Sequence, residues 1–348
     1  MSPIIISLML FSLGLGTTLT FASSHWLLAW MGLEINTLAI LPIMAQHHHP
    51  RAVEATTKYF LIQATAAAVV LFSAVSNAWI TGQWDIMNTS SPMTVTVVTI
   101  ALALKLGMAP VHLWLPEVLQ GLDLTTGLIL STWQKLAPFV LLMQIPTPAS
   151  NLLTFMALLS IAVGGWGGLN QTQLRKILAY SSIAHLGWMV IISEFVPQLA
   201  LFALLTYILM TTPAFLLIKT TSTTSVNALA LAWTKSPILA ALAPLVLFSL
   251  GGLPPLTGFA PKWFIIHELT KQGLPVIATL AAMMALISLY FYLRLSYAAA
   301  LTISPNTPPS TTPWRFPLTS PSLPLALATT SSLMLLPLTP SILALLAL

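Results

Sequence analysis

The sequence predicts an all-α polytopic membrane protein with about eleven transmembrane helices, and three observations carry that prediction. Hydrophobic residues make up 57% of the chain and charged residues only 5%. Apolar runs of about 20 residues, the length that crosses a bilayer core as a helix, recur along almost the whole chain. The runs show no alternating period, and open sheet edges cannot be left in lipid, so helices are the spanning element. A soluble chain carries about 25% charged residues because much of its surface faces water, and no stretch here qualifies as a soluble domain. The chain has no cysteine, which excludes disulfides, thiolate metal sites and cysteine-held iron–sulfur clusters on it.

Taken in order, the first run, 3–21, lacks a basic n-region and a small-residue cleavage site, and reads as a retained helix rather than a signal peptide. Runs at 25–44, 59–80, 94–116 and 125–144 complete a first five-helix half, residues 1–144. A second half, 149–297, holds runs at 149–169, 176–193, 199–218, 238–271 and 275–297. Residues 298–323 form a linker, extended over the Pro-, Ser- and Thr-rich stretch 303–323, and a last helix lies in 324–348 with its apolar run at 324–345. The glycines of Gly164-Gly165-Trp166-Gly167-Gly168 lack the G-K-[ST] of a nucleotide loop and predict close packing at a helix end.

Two runs are unlike the rest. The fourth contains Lys105-Leu106-Gly107-Met108-Ala109-Pro110, and the ninth contains Gly251-Gly252-Leu253-Pro254-Pro255-Leu256-Thr257-Gly258 in its middle. As one helix the ninth would measure ~50 Å at about 1.5 Å per residue, well beyond the bilayer core. Proline removes a backbone donor and clashes with the preceding turn, so both helices should break at membrane depth. Runs four and nine lie five helices apart and therefore cross in opposite directions. That is the pattern of an inverted repeat with broken helices 4 and 9, a pointer to a transport path.

Basic residues set the orientation. Arg51, Lys58, Arg175, Lys176, Lys219, Lys235, Arg294 and Arg315 fall between spans on one side. Asp85, Glu194, Glu268 and a single basic residue, Lys271, fall on the other. The positive-inside rule puts the N-terminus inside and the C-terminus outside. The net charge of +5 then reflects topology and anionic lipid, and implies no nucleic-acid partner.

Glu34, Lys105, Lys135 and Lys262 are ionisable groups inside or beside apolar runs. An ionisable residue at the centre of a membrane helix costs roughly 2.5 to 3.5 kcal/mol even on insertion scales, so such residues usually face a wet interior and act there. Desolvation favours the neutral form of each, and an opposite charge restores the ionised forms. Such coupled groups can relay protons without a cofactor. The alternative is that they are structural ion pairs or snorkel to an interface. His112 follows the first break, and its imidazole suits proton transfer. His185 shares a helix face with Ser181 and is read either as a helix–helix hydrogen bond or as a relay group. His47, His48 and His49 form a hydrated loop with metal binding as the alternative, and His25 with Trp26 reads as an interfacial anchor.

Five stretches carry a resemblance: Trp30 to Asn36 (WMGLEIN), Lys105 to Glu117 (KLGMAPVHLWLPE), Leu130 to Pro138 (LSTWQKLAP), Arg175 to Ser182 (RKILAYSS) and Gly251 to Trp263 (GGLPPLTGFAPKW). On these the chain resembles, over essentially its whole length, the antiporter-like membrane subunits of respiratory NADH–ubiquinone oxidoreductase, complex I, in their mitochondrially encoded vertebrate form. The resemblance implies a multi-pass protein of the mitochondrial inner membrane whose partners are other membrane-arm subunits and phospholipids, cardiolipin among them. It implies Glu34 and Lys105 as a charged pair, Lys135 as a central relay lysine, Lys262 as a terminal relay site and His112 as the histidine beside the first break. It places NADH, FMN, iron–sulfur clusters and ubiquinone in other subunits, with no cofactor or metal on this chain. Bacterial members usually have fourteen helices, so this chain lacks what resembles the first three. Three functions stay open at this point: a proton-translocating subunit driven by redox chemistry elsewhere, a cation/proton antiporter subunit of a non-redox assembly, and a membrane-arm scaffold.

Overall fold

The computed structural model describes residues 3–46, 48–89, 91–145, 150–234, 236–301 and 322–345. Among them the chain is all-helical, with two isolated β-bridges and no strands. Eight helices are long and apolar enough to cross a membrane, or nine with one bent pair, so the chain is a polytopic membrane protein. It divides into two units, Met1–Ser160 and Ile161–Leu348.

The first unit opens with α1 (Pro3–Ala22), α2 (Trp26–Met44), α3 (Pro50–Thr81), α4 (Pro92–Leu106), α5 (Trp114–Gly121) and α6 (Leu124–Gln144). Proline at the first turn of α3 and α4, where its missing donor is harmless, fixes where those helices start. The partner α1 packs on most is α2. A Cβ at Gly16 would sit 2.9 Å from the Gly32 carbonyl oxygen, and one at Gly32 would sit 2.9 Å from that of Gly16. Backbone meets backbone there, the usual way helices associate in lipid, where apolar surface alone provides no drive.

The helix α7 (Ser150–Gly168) leads into the second unit, which contains α8 (Leu174–Ser193), α9 (Pro197–Thr221), α10 (Val226–Ala230), α11 (Pro237–Gly251), α12 (Phe259–Lys271), α13 (Pro275–Leu301), α14 (Ser322–Met334) and α15 (Thr339–Leu345). The glycine run does end a helix and pack closely. A Cβ at Gly164 would meet the Ala184 backbone, and one at Gly167 the Tyr180 ring. Arg294 of α13 donates to the carbonyls of Leu169 and Gln171, just beyond the end of α7. A cation there also offsets the partial negative charge of a helix C-terminus. The described core of α8 is nearly continuous, and the stretch from Ser181 to its last residue, Ser193, is buried throughout.

Three expectations need correction. The third helix begins at Pro50, nine residues before the apolar run at 59, with His49 capping it and Pro50 in its first turn, and within this polar extension Lys58 pairs with Glu54 one turn earlier at 2.8 Å and with Glu117 of α5 at 2.9 Å. The helix thus extends past the point where hydrophobicity stops. The last segment is not one straight helix: α14 and α15 meet at a bend of 64°, with Pro337 in a 3₁₀ turn between them, the expected effect of a proline that cannot donate to the preceding turn. Trp26 is no interfacial anchor. It is fully buried, because the segment after α3 folds over it: Trp26 N donates to Trp84 O and Ile86 N to Ser24 O. His25 instead caps α2 through Nδ1 and stacks on Trp84 at 5.7 Å. The linker 303–323 and His47 fall largely or wholly outside the described residues.

Candidate functional site

Both predicted breaks are present, and both have the same local backbone. The helix α4 stops at Leu106, with Gly107 left-handed at φ 79° and ψ 41°; α11 stops at Gly251, with Gly252 at φ 81° and ψ 42°. Only glycine adopts that conformation without a Cβ penalty. In each case the next N–H reaches back five residues, Met108 to Ala103 O and Leu253 to Phe248 O, which closes the end with a Schellman-type cap.

The break in the first unit frees backbone groups, and side chains take them up. Gln63 of α3 donates to the Lys105 carbonyl at 3.3 Å, Trp114 of α5 to the Leu104 carbonyl at 3.2 Å, and Ala109 N donates to Ser160 Oγ at 3.0 Å. Lys105 and Lys135 are 6% and 4% exposed and line one cavity with Asn36, Tyr59, Gln63 and Gln134. Its volume is about 20 Å³, room for one water molecule. Gln134 of α6 donates to the Asn36 side chain at 3.3 Å and to its carbonyl at 3.2 Å, tying α6 to α2 beside Lys135.

Glu34 and Lys105 do not touch. Among the described residues no ion pair joins them within 4.0 Å, and the Lys105 Nζ has no hydrogen-bond partner. Glu34 accepts from Thr37 Oγ1 at 3.1 Å, and its charge acts through space on Lys105 and on the buried Tyr59. His112 lies in the break between α4 and α5, buried and bonded to the Pro110 carbonyl. It is not among the residues that line the Lys105–Lys135 cavity.

In the second unit the Lys262 ammonium donates to the Gly251 carbonyl at 2.7 Å, which fills the acceptor that the end of α11 leaves open. Lys262 shares a cavity of about 10 Å³ with His185, Thr206, Met210 and Gly258. The His185 Nδ1 lies 2.7 Å from the Ser181 carbonyl one turn earlier on the same helix. Thr257, between the two halves of the broken helix, donates to the Ser332 carbonyl of α14 at 2.5 Å.

The six predicted residues thus fall into a Lys105–Lys135 cavity with Glu34 acting on it, a Lys262–His185 cavity, and His112 at the first break. Sequence reasoning missed Asn36, Tyr59, Gln63 and Gln134. For the three amides a signal existed, since a polar amide in an apolar run usually bonds across helices; Tyr59 gave none. It also missed Glu194 after α8, where burial pushes the carboxyl up to about 7 and leaves Oε1 without a partner. Among the described residues no cluster of three His, Asp or Glu is placed to hold a metal ion. His49 caps α3, its Nδ1 accepting from Arg51 N at 3.3 Å.

A family model described as NADH:quinone oxidoreductase/Mrp antiporter, TM, matches residues 23–288. A second, NADH dehydrogenase subunit 2 C-terminus, matches 289–343. The chain is 67% identical over 349 residues to NADH-ubiquinone oxidoreductase chain 2 of Oncorhynchus mykiss and 66% identical over 348 residues to that of Gadus morhua, covering 100% of both sequences in each case. Among solved structures it is similar to a chain of respiratory complex I from Thermus thermophilus with bound aureothin: 29% identity, TM-score 0.84, 97% of this chain and 79% of that one. A chain of the Mrp complex from Dietzia sp. DQ12-45-1b shares the fold at 16% identity and TM-score 0.82, with 97% of this chain and 76% of that one covered.

Proposed function

The chain belongs to the NADH-ubiquinone oxidoreductase chain 2 family, membrane subunits of complex I, and from that premise we propose that its buried lysine sites carry the protons this subunit translocates. NADH oxidation and ubiquinone reduction proceed in other subunits, which hold the FMN and iron–sulfur clusters. One observation carries the reading: two lysines, Lys105 and Lys135, buried together at a helix break in a cavity lined by amides and a phenol.

The chemistry follows from that arrangement. An ammonium next to an amine of like kind can pass its proton through one intervening water, with no net change in composition. Glu34 biases the balance. Its carboxylate favours a proton on Lys105, and weakening that field favours the proton on Lys135. Because Glu34 acts without contact and the Lys105 Nζ has no hydrogen bond to hold it, a small displacement of α2 against α4 changes the field without breaking a bond. In the second unit Lys262 alternates between the Gly251 carbonyl, which suits the ammonium, and the imidazole side of its cavity. His112 serves as an exchange group at the first break.

The same reading covers the topology and setting. Eight continuous spans, the bent α14–α15 pair and the two broken spans begun by α4 and α11 support a count of eleven. The N-terminus lies inside and the C-terminus outside, and residues 1–144 and 149–297 form the inverted halves. The chain sits in the mitochondrial inner membrane, against other membrane-arm subunits and phospholipids including cardiolipin, and binds no cofactor itself.

The test is complex I carrying Lys105→Met or Lys135→Met, reconstituted in liposomes. Protons pumped per NADH oxidised should fall in both variants while assembly stays near normal. A normal ratio in both would sink the relay. Lost assembly with a normal ratio in what remains would favour the scaffold.

A further inference from the structure

We propose that Tyr207 and Tyr292, together with Ser181 and Ser182, form a hydroxyl relay that extends the Lys262–His185 cavity toward the N-terminal end of α8. The inference rests on the proton-carrying role assigned above to Lys262, and it adds two residues, Tyr207 and Tyr292, which neither the sequence motifs nor that role includes.

The geometry is confined to one turn of α8 and the two helices that present phenols to it. Ser181, Ser182 and His185 lie on α8 and are buried; Tyr207 comes from α9 and Tyr292 from α13, each 1% exposed. The His185 and Tyr207 rings are in contact at 5.4 Å. Tyr207 lies within interaction range of the Ser182 side chain and of Tyr292, and Tyr292 within interaction range of Ser181. The last link is open: Tyr292 Oη has no closed hydrogen bond. Both serine hydroxyls are turned back on their own helix, Ser181 donating to Leu178 O and Ser182 to Ala179 O, each at 2.7 Å.

A buried phenol hydroxyl without a hydrogen bond, here Tyr292 Oη, is costly to place in a lipid-facing protein. Phenylalanine would fill the same space. Helix packing explains the rings and leaves the unbonded Tyr292 hydroxyl unexplained. A chain of hydroxyls transfers a proton by accepting it on one oxygen lone pair and releasing its own hydrogen to the next oxygen. Each group ends with the same composition, and the chain resets when the hydroxyls rotate. Rotation of Ser181 away from Leu178 O closes the link to Tyr292. The open link therefore makes the relay conditional on a single torsion rather than a continuous leak.

The experiment is complex I carrying Tyr292→Phe, Tyr207→Phe or Lys262→Met, each reconstituted in liposomes and read as protons pumped per NADH oxidised by assembled enzyme. The ratio is a quantity that a packing role does not move. Tyr292→Phe and Tyr207→Phe should lower the ratio as Lys262→Met does, with NADH-driven quinone reduction retained, and Tyr292→Phe combined with Lys262→Met should fall no further than Lys262→Met alone. Wild-type ratios in both tyrosine variants, with a lowered ratio in Lys262→Met, overturn the relay and leave the role of Lys262 intact. A wild-type ratio in Lys262→Met overturns both. If Tyr292→Phe does not assemble, Ser181→Ala decides on the same readout.

Discussion

Replacing Gly258 by alanine tests whether the second break is held as tightly as its geometry implies. Gly258 has ordinary helical torsions, φ −64° and ψ −14°, so the backbone tolerates alanine and only space is at issue. The added Cβ would stand 1.8 Å from the Ser249 carbonyl oxygen and 2.8 Å from Met210 Sδ. Met210 can swing aside, but the Ser249 oxygen is main chain. Restoring ordinary contact, which begins near 3.4 Å, requires the end of α11 and the start of α12 to part by roughly 1.6 Å. Gly251 lies two residues beyond Ser249, so the 2.7 Å bond from Lys262 would stretch past 4 Å, roughly, and be lost. Overpacking costs about 1 to 3 kcal/mol, and a lost hydrogen bond from a charged donor about 1.5 to 3 more. The sum, around 4 kcal/mol, is a large share of the stability of most domains. The assay is the abundance and melting of assembled complex I, with Gly14→Ala as control, since a Cβ at Gly14 meets nothing within 4 Å. If Gly258→Ala assembles and melts like Gly14→Ala, the packing argument is wrong.

Gly32→Ala should push α1 off α2, because the new Cβ would lie 2.7 Å from Thr20 Cγ2 and 2.9 Å from the Gly16 carbonyl; a loss of about 2 kcal/mol should appear as reduced steady-state level of the chain in pulse–chase labelling. Gln63→Leu strips the Lys105 carbonyl of its donor at a cost of about 1 to 3 kcal/mol, lowering the melting temperature of the complex, whereas an unchanged melt would mean that water takes the place of the amide. Glu194 sets a pH dependence. Its folded carboxyl titrates near 7 against an ordinary 4.5, so it binds a proton more readily folded than unfolded, and its contribution to stability is full below about 4.5 and is lost as pH rises through about 7. Amide exchange in the turn between α8 and α9, corrected for intrinsic rates, should therefore quicken from about pH 6 to about pH 8 and be flat in Glu194→Gln.

The parts of this fold that were legible are those where one residue overrides hydrophobicity. Lysines in apolar runs and Gly-Pro clusters at Gly107 and Gly252 announce the breaks, and the structure places both where charge and proline put them. The start of α3 is hidden because its first turns are polar, and what Lys58 meets there, Glu117, lies 59 residues away. Burial of Trp26 was hidden for the same reason, since it needs the segment around Trp84. Pro337 sits inside an otherwise continuous apolar run, so hydrophobicity alone does not reveal the bend there. At the candidate site the lysines were legible and their company was not: Gln134 finds Asn36 across 98 residues, and no local pattern pairs them. The separation of Glu34 from Lys105 was likewise beyond sequence, which gives membership of a cluster without contact distances.

The Gly16–Gly32 contact also bears on how the chain enters the membrane. During synthesis α1 and α2, joined by a turn of three residues, 23–25, leave the ribosome before α3 to α15. Their interface needs nothing made later, so the pair can close as a hairpin while the rest of the chain is still being translated. Glu34 then enters the bilayer on a helix that already has a neighbour. The translocon meets the acid as part of a packed pair, long before Lys105 has been synthesised.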